Sequence, residues 1–188
     1  LRGHLLSGLS MLLLLLACLP FAPVRVRRDL SLNRMLAAKN RGITGQMLCE
    51  YAVHLLGLLL IMALALGALT VAGVVKLSLV GLLHILPVVA MTAALSFMLF
   101  ELTGNLISGV LLQFFVILVL GFISGCMYPI FFFPATVQKL AHWLPTGLGR
   151  EELSGLLTGM YSLESCLQLL CIAAVFSLCE LGVCKYRV

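Results

Sequence analysis

Five long apolar runs, set apart by short polar stretches, form the pattern of this chain. They cover residues 5–22, 47–75, 77–100, 106–127 and 162–184. At 1.5 Å of rise per residue each is long enough for a helix to reach across a hydrocarbon core of about 30 Å. The runs are continuous rather than alternating, which predicts helices and not the strands of a barrel. The expected fold is therefore all-α, a polytopic membrane helical bundle of five transmembrane helices in one domain over residues 1–188. The first run resembles a signal-peptide core, but no small-residue cleavage site follows, and Pro20 and Pro23 close it into a basic loop. Glycines 57, 67 and 73 in the second run permit close helix packing.

Between the fourth and fifth runs the pattern changes. Pro129 and Pro134 break the apolar sequence, and ATVQKLAHWL follows. Here Val137, Leu140, Ala141 and Leu144 recur at i, i+3, i+4 and i+7, an apolar stripe on one face of a helix that Pro145 is expected to stop. Trp143 stands beside the stripe. A short amphipathic helix with a tryptophan, next to a proline-broken apolar run, suits a membrane surface. Residues 128–153 are thus expected to form an outer re-entrant and amphipathic element, with Gly147, Gly149 and Arg150-Glu151-Glu152 completing an outer loop.

The most polar stretch, residues 24–46, carries six of the twelve Lys and Arg. Within it Leu32, Met35 and Leu36 share one face of a predicted short helix, with Asp29 at its start, Lys39 near its end and Arg34 and Arg41 at its margins. Cations gather on the cytoplasmic side of membrane proteins, so this loop and the C-terminus, with Lys185 and Arg187, are expected to be cytoplasmic. Arg2, Lys76, Lys139 and Arg150 then fall outside. The expected location is the plasma membrane, multi-pass. A basic loop alone is attracted to anionic lipid; a basic loop with an apolar stripe also suits docking to a cytoplasmic protein.

Composition agrees: 62% of the residues are hydrophobic and 10% charged, against roughly 25% charged in soluble domains. The seven cysteines form no CxxC and lie mostly in apolar runs, so they read as small hydrophobes. The four histidines have no second ligand at helical spacing, and no metal site is expected. Glu50 and His54, at i and i+4, read as a surface pair. His84, three residues before Pro87, reads either as a transport-path residue or as a neutral cap on carbonyls freed by the proline.

With these residues in view, GFISGCMYPIFFFPATVQKLAHWLP resembles the outer element of the membrane subunits of type-2 ATP-binding-cassette (ABC) exporters. Gly121, Gly125, Pro129, Phe133, Pro134, Leu144 and Pro145 carry the likeness, and Gly125, Pro129, Phe133, Pro134, Val137, Leu140, Leu144 and Pro145 would form an outer gate. RMLAAKNRGITGQMLCEYAV resembles the coupling helix leading into that family's third span, and FELTGNLISGVLLQFF the turn into its fifth. The chain would then supply spans two to six, with the first span upstream absent. The resemblance implies a permease that is not itself an enzyme and binds no cofactor. ATP and Mg would sit on a partner ABC ATPase docked on Leu32, Arg34, Met35, Leu36, Lys39 and Arg41. A second permease half, identical or different, and membrane lipid would be the other partners; no nucleic acid is expected. The path, between spans that are nearly all apolar here, suits an amphipathic, lipid-like, peptide or drug substrate. Two other classes stand beside this one. One is a membrane scaffold without transport. The other is an intramembrane metalloprotease using Glu151-Glu152, for which the sequence provides no following Arg on the same helix.

Overall fold

The computed structural model describes residues 2–21, 43–73, 79–103, 105–160 and 162–187. Among the described residues the fold consists of seven α-helices and no strand occurs. They are α1 (Arg2–Ala17), α2 (Ile43–Val71), α3 (Leu79–Thr103), α4 (Leu106–Ile123), α5 (Ala135–Trp143), α6 (Pro145–Thr158) and α7 (Leu163–Arg187). Short 3-10 turns at Leu19–Phe21 and Ile130–Phe132 follow α1 and precede α5. The protein is thus all-helical, as the apolar runs predict.

Among the described residues three helices are long and apolar enough to cross a membrane: Leu48–Val71, Val80–Thr103 and Leu163–Val183. They mark a membrane protein. The apolar parts of α1 and α4, Gly3–Ala17 and Ile107–Ile123, are shorter. The first predicted run, 5–22, ends as a helix at Ala17, where Pro20 lies in the 3-10 turn that follows. The fourth, 106–127, ends at Ile123. There the chain turns on Gly125, whose φ of 74° is a left-handed conformation that glycine adopts without a Cβ clash.

The core is built around α3. Two-thirds of its span is buried, 67% against 22% for α2 and 17% for α7. Val88, Val89, Met91, Ala93 and Ala94 are wholly enclosed, and the small alanines let neighbouring backbones come close. Leu58 and Met62 of α2 and Leu169 of α7 close on the same core. The outward faces of α2 and α7 remain apolar, with Leu56, Leu60, Leu64, Leu167 and Leu178 exposed, which is what hydrocarbon requires. His54 departs from the expected surface pair. It is buried, with its ring edge-on to Phe97 at a centroid distance of 4.7 Å.

Residues 145–158 depart furthest from expectation. Pro145 does not only end one helix; it opens the next, at a first-turn position where its missing N–H costs nothing. The segment expected as an outer loop is α6, a helix sunk between α1, α3, α5 and α7. Gly149 makes the fit possible: a Cβ there would meet Met11 Sδ at 3.0 Å and Val88 Cγ1 at 3.3 Å. One turn earlier on the same face of α1, a Cβ at Gly8 would meet the Cys126 carbonyl oxygen at 2.6 Å, so α1 crosses directly over the turn after α4.

Candidate functional site

Successive residues of a helix point about 100° apart. On α6, Arg150, Glu151 and Glu152 therefore aim at three different neighbours, and each meets a histidine. Arg150 Nη1 lies 3.2 Å from His4 Nδ1 on α1. Glu151 Oε1 pairs with His142 Nδ1 on α5, and Glu152 Oε1 pairs with His84 Nδ1 on α3. Glu151 Oε1 is also 3.9 Å from Arg150 Nη2, so one oxygen faces both an imidazole and a guanidinium. One turn earlier on α6, the Thr146 hydroxyl is hydrogen-bonded to that of Ser124, just past α4.

Burial grades this set. Ser124 and Thr146 are fully enclosed, Arg150 is 3% exposed and Glu152 4%. The His142 and Glu151 side chains are open to the outside, at 58% and 33%. Isolated charges are too costly at such depth and persist only when paired; the pairing of Arg150 and Glu152 meets that condition. Arg150 Nε is buried without a hydrogen-bond partner among the described residues. Three consecutive charged residues thus tie α6 to α1, α5 and α3.

The predicted gate residues sit at the edge of this site. Gly125 is buried in the turn, and Pro129 and Phe133 are half-buried. Phe133 stands edge-on to Phe122 and to Tyr128, at 5.2 Å and 5.8 Å between centroids. Pro134 is exposed and leads into α5, where the Gln138 side-chain amide donates to the Phe133 carbonyl at 2.8 Å. Val137, Leu144 and Pro145 are half-buried, while Leu140 is 52% exposed and Trp143 82%. Of the apolar stripe on α5, Ala141 is the buried member and Leu140 faces away from the bundle. The predicted coupling residues Leu32, Arg34, Met35, Leu36, Lys39 and Arg41 lie outside the described residues.

The outer-loop reading of Arg150-Glu151-Glu152 missed this site, because its histidine partners are remote in sequence. Pro145 followed by Leu148, Leu153 and Leu156 is the one local signal for a helix there. As for metal chemistry, Glu151 and Glu152 point to different histidines, and no group of three His, Cys, Asp or Glu among the described residues is arranged to hold an ion. Comparison with protein families, with curated proteins and with solved structures found no match.

Proposed function

We propose that this chain is the permease subunit of an ATP-driven ABC exporter, moving an amphipathic, lipid-like, peptide or drug substrate outward. In this reading α1, α2, α3, α4 and α7 are five spans, the C-terminus is cytoplasmic, and residues 24–46 carry the contact with a separate ATPase. The observation that carries the reading is the succession between α4 and α7. A span ends on left-handed Gly125, two prolines bracket a short turn, the amphipathic α5 exposes Leu140 and Trp143, and α6 re-enters the bundle. Non-helical backbone at membrane depth is tolerated where protein packs against it. Here Gly8 of α1 lies on the Cys126 backbone and supplies that packing.

In this reading α1 and α4 line the transport path. Leu12 Cδ1 lies 3.8 Å from the position a Cβ would take on Gly121, so the two helices touch near the outer turn. The two runs are nearly all apolar in sequence, which favours a substrate with a large apolar portion over an ion.

The test is recovery of an ABC ATPase with the affinity-tagged chain from its native membrane. Burying one leucine side chain contributes about 1.5–3 kcal/mol. Leu36→Asp is therefore expected to lower recovery tenfold or more, at ~1.4 kcal/mol per decade. Lys39→Ala at the rim should alter mainly the salt sensitivity. Failure to recover an ATPase with the unmodified chain, or equal recovery with Leu36→Asp, would overturn the assignment.

A further inference from the structure

Three of the chain's four histidines meet three successive residues of one buried helix, but they do not meet the same kind of partner. His84 and His142 face carboxylates, whereas His4 faces a guanidinium. We propose that this asymmetry is a pH-operated latch: a proton on His4 releases the first turn of α1 from α6, while His84 and His142 hold α6 on α3 and α5.

A guanidinium only donates, so the contact between His4 Nδ1 and Arg150 Nη1, 3.2 Å apart, is a hydrogen bond only when that nitrogen carries no proton. A proton at that nitrogen removes the acceptor and sets two cations against each other. At the other two sites the partner is an acceptor, so a protonated imidazole still donates and gains charge attraction. Acid therefore acts with opposite sign on the two kinds of contact. The His4 contact is present when the ring is neutral and is lost as pH falls; the other two persist. Histidine is the side chain whose charge ordinarily changes between about pH 5 and 8.

The other groups around α6 do not cancel this effect. From α5, Lys139 is exposed, and from α7, Glu164 is exposed. Cys166 of α7 and Cys126 beyond α4 are thiols, neutral on the acid side. Glu151 takes part through Arg150 and stays bridged to His142.

The mechanical consequence follows from one face of α1. His4, Gly8 and Met11 fall at i, i+4 and i+7, and they meet Arg150, the Cys126 backbone and Gly149 in turn. Losing the first contact frees the first turn of α1 from α6, while the Gly8 and Met11 contacts keep the rest of the helix in place. The latch stands independently of the permease reading, since it concerns only the packing of α1 on α6.

The test is a pulsed-EPR distance between spin labels at Leu5 and Thr158, both exposed, in the full chain in lipid nanodiscs. Between about pH 7.5 and 5.5, a longer-distance population should appear and grow in the otherwise unmodified chain. It should be absent in His4→Gln, whose amide oxygen accepts from Arg150 without titrating, and retained in His142→Gln. If His4→Gln fails to assemble, His4→Asn takes its place. An unchanged distance in the unmodified chain, or the same growth in the His4 variant, would overturn the proposal.

Discussion

The short helices on either side of Leu144 are opposites. α5 looks amphipathic in sequence and lies at the surface, with Trp143 and Leu140 turned outward. α6 has three glycines and three adjacent charges, the composition of a loop, yet Thr146, Leu148, Arg150, Glu152, Leu153 and Leu156 are all buried. What decides burial here is the supply of partners. α5 presents an apolar face that lipid can cover without help. α6 presents charges that only His4, His84 and His142 can satisfy, so it is stable only inside the bundle. The contrast predicts that substitutions on α6 act on the fold and substitutions on α5 act on its relation to the membrane.

The largest effect is expected from Glu152→Ala. Removing one member of a buried pair costs about 3–5 kcal/mol, and thermal unfolding in detergent should show it as a large fall in midpoint. A midpoint near that of the unmodified chain would erase the difference between the two helices. Next is Gly149→Val, which forces Cβ and γ-methyl groups against Met11 and Val88. Overpacking of this kind costs about 1–3 kcal/mol, and the same unfolding assay reads it. His142→Gln should matter much less, because the ring is more than half exposed and pairs of this type contribute about 0–1 kcal/mol.

Trp143→Ala, on the exposed face of α5, should leave the unfolding midpoint within about 0.5 kcal/mol of the starting value. Its consequence belongs to the membrane. As the chain's single tryptophan, Trp143 should be quenched by lipids brominated near the headgroup more strongly than by lipids brominated at the acyl terminus. The reverse order would bury α5 and remove its half of the contrast.

Much of the fold was legible because apolar runs report what touches hydrocarbon. The second, third and fifth runs correspond to α2, α3 and α7, with ends displaced by a few residues. The stripe on α5 was legible for the same reason, although Leu140 turned out to be an outward member and Ala141 the buried one. Local pattern failed where a residue's environment is set by a distant one. Arg150 reads as solvated until His4, at the other end of the chain, is placed beside it. His84 was singled out as an ionisable residue inside a span, but neither reading of it named a carboxylate on another helix as its partner. His54 was read against Glu50, four residues away, and its neighbour Phe97 on α3 lay beyond any local window.

The most direct test of the central claim, that distant histidines hold a charged helix inside this bundle, is a double-mutant cycle on His84 and Glu152. His84→Ala, Glu152→Ala and the double variant would be compared with the unmodified chain by thermal unfolding in detergent. Residues in direct contact typically couple by about 0.5–3 kcal/mol, and a buried pair belongs at the upper end. The account predicts a coupling above ~1 kcal/mol, with the double variant less damaged than the two single costs would imply. Additivity of the two single effects, to within about 0.5 kcal/mol, would contradict it.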